Sequence, residues 1–405
     1  MKTDREAEAL GPLALYVHIP FCATKCPYCD FNTYAGIEPL IPSYVASLRR
    51  EIATWGNLLG HPVAKTIFFG GGTPSYLPID ETASLMDAAR SSFDVAQEAE
   101  VTLEANPDDL DPSKLAALRD LGINRLSIGV QSLDDRLLGL LGRRHSASDA
   151  VGAYRMATSA GFSNVSIDLM YGLLHQTLDD WQRTLDGVLE LAPPHVSMYC
   201  LTLEDGTPMK RALESGSIPE PDPDLAADMY LAAREAMGHA GYRHYEISNW
   251  ARQGFESRHN MAYWRNQSYL GVGPGAHSYL GSSRFSNLRS PREYIRMLER
   301  DPGLTPRGNA GTLRQAIAAV PVVKEVEEID RRLEMAETLM LGLRLDDGID
   351  VNEFKARFDV APAGAYPGEI GEFTELGLLD TANGRLRLTA RGRMLSNEVF
   401  ARFFG

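Results

Sequence analysis

Three cysteines lie within one eight-residue stretch, Cys22, Cys26 and Cys29 in HIPFCATKCPYCDF, while the fourth, Cys200, is far away. The Cys-x3-Cys-x2-Cys spacing offers three thiolates from one loop. A [4Fe–4S] cluster takes four thiolates when protein fills every iron, and structural zinc likewise wants four ligands. Three thiolates thus leave one metal position for a small chelating ligand, and the amine and carboxylate of S-adenosylmethionine suit that role. Two other readings of the spacing stay open: zinc completed by a distant ligand such as His18, and free cysteines. Four cysteines in 405 residues are too few for a disulfide scaffold.

The elements that must position this loop follow from apolar periodicity. Strand-like runs at 13–20, 66–71, 100–107, 125–132, 164–172 and 195–204 alternate with amphipathic stretches at 42–55, 80–92, 112–121, 147–160 and 177–191. Six β-then-α units imply parallel strands joined by right-handed crossovers. They fall short of the eight that close a full barrel. The expected fold class is therefore α/β, a partial (β/α)6 barrel. Chemistry collects at the carboxyl ends of such strands. There the chain places His18–Cys29, Gly70–Ser75, Glu104–Pro107, Gln131–Ser132, Asp168–Tyr171 and Cys200–Glu204.

Beyond residue 205 the beat loosens. A helix is expected over 223–240, then the Gly-rich GVGPGAHSYL at 271–280, and a linker or surface insertion over 301–325. Helices near 328–343, 350–358 and 365–376, a hairpin turning at 382–384, and a last helix at 390–404 make a small winged-helix-like α+β module. The expected division is a core barrel at 13–245, a connecting segment at 246–325 and a C-terminal domain at 326–405.

Hydrophobic content of 44%, charged content of 23% and a net charge of −14 describe a globular chain with no broad electrostatic grip on nucleic acid. No apolar run approaches the roughly 20 residues that span a bilayer, and Met1–Leu10 lacks the basic and apolar regions of a secretory signal. The expected location is cytoplasmic, with membrane association at most indirect.

The cysteine motif after the first strand, with GGGTPS at 70–75, resembles the radical S-adenosylmethionine superfamily. YVHIPFC, TLEANP, RLSIGVQS, DLMYGL, YEISNWA and HNMAYW resemble, within it, the oxygen-independent coproporphyrinogen III oxidase group over residues 13–295, with a weaker match over 328–400. The branch most resembled is the haem chaperone, HemW. The oxidase is expected to carry another cysteine two positions after the third ligand, where this chain has Phe31, and a long extension ahead of the first strand, where this chain has twelve residues before Leu13.

The resemblance implies a [4Fe–4S] cluster on Cys22, Cys26 and Cys29. It implies S-adenosylmethionine contacts from Tyr16, Tyr28, Gly71, Gly72, Thr73, Glu104, Gln131, Arg143 and Asp168, although Arg144 or His145 could replace Arg143, and Glu104 and Asp168 could be capping or salt-bridge residues. The family's YGLPGQT is here YGLLHQT, so Leu174 and His175 depart from the pattern. Haem, the further cofactor, needs an axial ligand and a flat apolar bed. The HNxxYW run at 259–264 offers His259 as first choice, with core packing as the alternative and His277, His244 and Cys200 in reserve.

The function so implied is a chaperone passing haem to acceptor proteins, respiratory ones among them, with no catalytic residue, no nucleic-acid partner and self-association into a homodimer as one option. The rival is a radical enzyme that oxidatively decarboxylates coproporphyrinogen III.

Overall fold

Six strands alternate buried apolar residues with polar ones, and that period of two decides which face each residue meets. β1 (Leu13–Ile19), β2 (Val63–Gly71), β3 (Asp94–Ala105), β4 (Arg125–Gln131), β5 (Asn164–Tyr171) and β6 (His195–Cys200) lie side by side in that order, all parallel. Leu103, Leu126, Ile128, Ile167 and Leu169 pack into the main core. Their neighbours Glu104, Ser127 and Asp168 turn to the opposite, inner face and line a cavity. The computed structural model describes residues 11–300 and 312–404. The signal-sequence expectation for Met1–Leu10 and residues 301–311 of the expected 301–325 insertion fall outside the described residues, whereas 312–325 is no unstructured linker but forms the helix Leu313–Ala318 and the start of an edge strand.

The crossover helices begin where side chains can satisfy free amides. Ser146 with Asp149 and Thr177 with Asp180 form reciprocal capping boxes at the helices Ala147–Ser159 and Leu178–Leu191. No helix among the described residues is long and apolar enough to cross a membrane.

Both edges of the parallel sheet are extended. β7 (Arg243–Glu246) and β8 (Asn249–Ala251) form a hairpin whose second strand runs antiparallel to β6. On the other edge β9 (Tyr269–Val272) runs parallel to β1, followed outward by β10 (His277–Leu280), β11 (Ser283–Asn287) and β12 (Val323–Glu328). One open sheet of twelve strands results, in the order β12-β11-β10-β9-β1-β2-β3-β4-β5-β6-β8-β7. The expected boundary at 245/246 falls inside the β7–β8 hairpin, and the segment 246–325 supplies β8 to β11 and the start of β12 to the barrel sheet.

The C-terminal module has its own core of Leu339, Phe354, Phe358, Phe373, Phe400 and Phe403. β13 (Ile349–Asp350), β14 (Leu379–Ala382) and β15 (Arg385–Leu388) form its three-stranded sheet. Asn383 and Gly384 turn the hairpin with φ of +53° and +74°, the left-handed pair that matches strand twist. The expected helix at 390–404 is broken into Ala390–Met394, Ser396–Ala401 and a final 3-10 turn. The module is tied to the barrel by the Asp346 amide donating to Tyr245 O (3.0 Å), by Asn266 Nδ2 donating to Thr338 Oγ1 (3.0 Å), and by the Arg344 guanidinium 4.4 Å over the Trp264 ring.

The two departures in YGLLHQT have separate physical consequences. Leu174 is buried with Leu137, Leu141 and Met209. His175 is exposed and adopts φ +59°, a region that disfavours residues with a Cβ. His175→Gly is expected to raise stability by about 0.5–1 kcal/mol, read as a higher unfolding midpoint; a lower midpoint refutes the strain.

Candidate cofactor site at the barrel mouth

The loop after β1 is held by its own backbone. The Cys22 amide donates to Tyr34 O (3.0 Å) and Lys25 Nζ donates to Phe31 O (3.0 Å) and Thr33 O (3.1 Å). Asn32 Nδ2 donates to Pro274 O (2.8 Å) and Arg289 O (2.9 Å), pinning the loop to the turn at 273–276 and to the segment after residue 287. Cys22, Cys26 and Cys29 are free thiols lining one cavity of about 440 Å³. Among the described residues no three His, Cys, Asp or Glu side chains are already gathered for a metal ion.

The donor chemistry around the sulfurs fits thiolates. Thr73 Oγ1 donates to Cys22 Sγ (3.4 Å), Arg143 Nη1 donates to Cys26 Sγ (3.6 Å), and Thr33 Oγ1 lies 4.0 Å from Cys29 Sγ. Burial pushes the Cys22 and Cys29 thiols up, while the hydroxyls of Thr73 and Thr33 pull them down. A cluster would remove the first effect by taking the thiolate directly. His18 gives no support to the zinc alternative. It is buried, and its Nδ1 and Nε2 are engaged by Tyr16 OH (3.0 Å) and Asn32 O (3.0 Å).

The glycines beside the cysteines are required by close approach. Gly71 has φ +113°, and a Cβ there would lie 2.5 Å from the His18 ring. A Cβ on Gly72 would lie 2.7 Å from Phe21 O and 3.1 Å from Cys22 Sγ. The Gly71 amide donates to Glu104 Oε2 (3.1 Å). Gly71, Gly72, Thr73, Glu104, Tyr28, Gln131, Arg143 and Asp168 all line the cavity with the three cysteines. Tyr16 faces the same interior beside Gly70 and Glu104, but does not line the cavity.

Of the three candidates in GRRHS, only Arg143 is bonded to a motif cysteine. Its Nη2 donates to Asn106 Oδ1 (2.5 Å) and Gly129 O (2.9 Å). Arg144 is paired with Asp108 (2.5 Å) and Asp109 (3.0 Å), and His145 Nε2 meets Val130 O (3.0 Å). Asp168 accepts from Ser127 Oγ (2.8 Å) and Ser166 Oγ (2.9 Å), so it is a buried interior acceptor and caps no helix. Ser166 continues through His195 Nδ1 (2.8 Å), whose Nε2 meets Tyr245 OH (2.8 Å).

Burial first and Asp168 second push the Glu104 carboxyl up from 4.5 to about 7, against the pull of the Gly71 amide and Arg125. A folded value above the unfolded one means that stability from this group is full below pH 4.5 and is lost as pH rises through about 7. Glu104→Gln is therefore expected to flatten the fall in stability of the ligand-free chain between pH 5 and 8, a slope of at most roughly 1.4 kcal/mol per pH unit. Thermal unfolding across that range checks it; an unchanged slope refutes it.

Several lining residues were given no contact role from the sequence. Asn106 links Arg143 to Thr73 by donating to Thr73 Oγ1 (3.3 Å), and its place two residues after Glu104 on the same face was the available signal. Phe31 stands at the rim with 64% of its surface exposed, and Arg125 and Asn260 line the depth. Phe31 was marked by its spacing after Cys29 only as a departure from the oxidase pattern, Asn260 only as part of the HNxxYW run, and Arg125 only as part of the RLSIGVQS run.

His259 is 1% exposed, with Nδ1 bonded to Thr66 Oγ1 (2.8 Å), Nε2 to Tyr263 OH (2.9 Å), and its ring 5.0 Å from that of Phe68. Burial pushes its pKa down to about 3. These contacts favour the packing alternative over an axial ligand, because neither nitrogen is free. Its helix, Arg258–Trp264, seals the floor of the barrel, with the Arg258 and His259 amides donating to the Glu100 carboxylate (both 3.0 Å). Of the reserves, His244 is stacked on Trp250 at 4.3 Å, His277 is exposed on β10, and Cys200 lines the mouth.

Comparison with known proteins matches residues 16–188 to the radical SAM superfamily and residues 329–395 to the HemN C-terminal domain. "Heme chaperone HemW" of Bacillus subtilis is 35% identical over 391 residues, covering 96% of this chain and 98% of that protein. The Mycobacterium tuberculosis protein of the same name is 36% identical over 399 residues, covering 97% and 95%. "Radical S-adenosyl methionine domain-containing protein 1, mitochondrial" of Bos taurus is 40% identical over 391 residues, covering 94% and 84%. Among solved structures, the coproporphyrinogen III oxidase HemN of Escherichia coli superposes with a TM-score of 0.82 at 23% identity, covering 99% of this chain and 92% of that one. That likeness shows the fold.

Proposed function

The chain belongs to the radical SAM superfamily and, within it, to the HemW haem chaperone family, and on that premise we propose that it binds haem and passes it to haem-accepting proteins. The observation that carries the reading is the match, over nearly the whole length of both chains, to proteins named as haem chaperones. Respiratory haem proteins are candidate acceptors, the cytoplasm is the proposed location, and no nucleic-acid partner is invoked.

In this reading Cys22, Cys26 and Cys29 hold a [4Fe–4S] cluster, and the cavity beside them takes S-adenosylmethionine. When bound, the two supply a one-electron centre and a cleavable sulfonium. The chain's own residues do the binding. Thr73 and Arg143 hold sulfur as thiolate through hydrogen bonds from a hydroxyl and a guanidinium. Gly71 and Gly72 let backbone approach the ligand, and Glu104 and Asp168 offer acceptors to its ammonium and hydroxyl groups. Arg143, with its planar donors, suits the methionine carboxylate.

The test separates carrier from oxidase. Anaerobically reconstituted protein is titrated with haem and, separately, given S-adenosylmethionine, dithionite and coproporphyrinogen III. Stoichiometric haem binding without protoporphyrinogen is expected. Protoporphyrinogen formation, or no haem binding, overturns the chaperone reading.

A further inference from the structure

Among the described residues Arg125 is the only fully buried arginine, 2% exposed. It opens β4 and, with Ser127 two residues on, faces the inside of the barrel. Its guanidinium makes no ion pair and no hydrogen bond among the described residues, and its Nε–H is buried without an acceptor. Arg143 and Arg393 are by contrast bonded, to Asn106 and Asp346 (both 2.5 Å). Thr102, the register partner of Arg125 on β3, is also fully buried, and its hydroxyl finds no partner. A buried charge left unpaired is costly, and orphaned polar groups inside a fold call for an explanation.

The charge faces the depth of the mouth cavity. In register it lies deeper than Glu104, which is level with Ser127, and deeper than Asp168, which is level with Gly129. Both carboxylates feel its charge, yet neither comes within ion-pair distance of it. The imidazoles of His195 and His259 also feel it, and both are already bonded elsewhere. Asn260 lines the same depth from the floor helix, and its side-chain amide makes no hydrogen bond among the described residues. We propose that this depth is a subsite for a carboxylate group, with Arg125 as its anchor and the Asn260 amide as a second donor.

A guanidinium fork matches the two oxygens of a carboxylate. A phosphate dianion is the poorer fit, because Glu104 and Asp168 stand between it and the mouth. The proposal rests on the assignment of S-adenosylmethionine to the mouth. That nucleotide's own carboxylate belongs beside the cluster, with Arg143, which contacts Cys26 Sγ at 3.6 Å. Its cationic end, facing Glu104 and Asp168, takes up their charge and leaves Arg125 uncompensated. The carboxylate at Arg125 is therefore that of a second molecule. The cavity of about 440 Å³ is shared with the nucleotide, which leaves room for a short acid or for the acid arm of a larger molecule.

The test uses the full chain with its cluster reconstituted, with and without S-adenosylmethionine, titrated at constant ionic strength with sodium propionate and with the uncharged propionamide. Saturable binding of propionate and none of propionamide is expected. Arg125→Gln is expected to weaken propionate roughly tenfold or more, the loss of a charge-assisted bond, and Arg125→Lys to keep part of the affinity. Displacement of propionate by haem but not by haem dimethyl ester would assign the carboxylate to a porphyrin propionate. Displacement by a second equivalent of S-adenosylmethionine would assign it to an amino-acid carboxylate. No difference between propionate and propionamide in the unaltered chain overturns the subsite, and that result needs no variant to fold. Equal propionate binding by the unaltered chain and Arg125→Gln overturns the anchor. An equal fall in S-adenosylmethionine affinity in Arg125→Gln places Arg125 in the nucleotide site and overturns a separate subsite. A chain that binds propionate but no S-adenosylmethionine overturns instead the assignment of the nucleotide to the mouth.

Discussion

Cys26→Ser is expected to empty the site of iron: after anaerobic reconstitution, iron and sulfide per chain fall to background. Serine keeps the shape and loses the ligand, since a hydroxyl does not supply the soft anionic sulfur that iron–sulfur clusters select. Cys26 is the sharpest choice because its sulfur is the one that Arg143 contacts, at 3.6 Å. Removing that thiolate also leaves a buried guanidinium facing a neutral hydroxyl. The companion variant is Cys200→Ser. Cys200 lines the same cavity and is the remaining cysteine of the chain. Iron and sulfide are expected to be unchanged in it. Loss of iron in Cys200→Ser would make it a fourth thiolate, close the position left for a chelating ligand, and remove the reason for placing S-adenosylmethionine at the mouth.

The parallel half of the fold was legible because each of its strands carries a local signal. Leu103 beside Glu104 and Ile167 beside Asp168 state both the period and the face, and a helix pattern follows each strand before the next. β9 carries no such signal. Its four residues, Tyr269–Val272, lead into a run of glycines, and what makes them a strand is pairing with β1 from more than 250 residues earlier in the chain. Non-local pairing of this kind is where pattern reading fails, since the stabilising partner is absent from the window. The winged module behaved oppositely. Asn383–Gly384 between two short alternating runs is a local statement of a hairpin.

The site was legible by residue type and opaque by direction. The cysteines, the glycine turn and Glu104 sit at strand ends, where the parallel architecture alone dictates convergence. His259 shows the limit. Its type announces a metal ligand, but on a helix the neighbours of a side chain are three and four positions away, and here they are Tyr263 and the barrel floor. Met261, two positions on, has the opposite surroundings and drew no attention, since a lone methionine reads as core.

Glu51 is the buried carboxyl behind the cluster loop, and Glu51→Ala is expected to cost about 3–5 kcal/mol of stability, since each buried donor left without an acceptor costs about 1–3 kcal/mol. Its side chain is fully buried and accepts from Trp55 Nε1 (3.2 Å), the Gly273 amide (2.8 Å), Asn287 Nδ2 (2.6 Å) and Tyr294 OH. All four partners are donors, so alanine leaves Trp55 Nε1, the Gly273 amide and Tyr294 OH without this acceptor in a dry interior, while Asn287 Nδ2 keeps its bond to Gly273 O (3.0 Å). Glutamine is expected to recover only part of the loss, because its NH2 group must face one of those donors. The consequence reaches the site. Gly273 begins the turn whose next residue, Pro274, accepts from Asn32 of the cysteine loop, and Tyr44, T-shaped against Phe21, donates to His18 O. Loosening Glu51 therefore loosens what pins the cysteine loop from behind. Urea unfolding should show a lowered midpoint with an unchanged m-value. The reconstituted variant should also lose its cluster faster in air than the unaltered chain. A stability loss below about 1 kcal/mol would place Glu51 with surface ion pairs, and full stability loss with unchanged cluster lifetime would sever the link between this network and the cysteine loop.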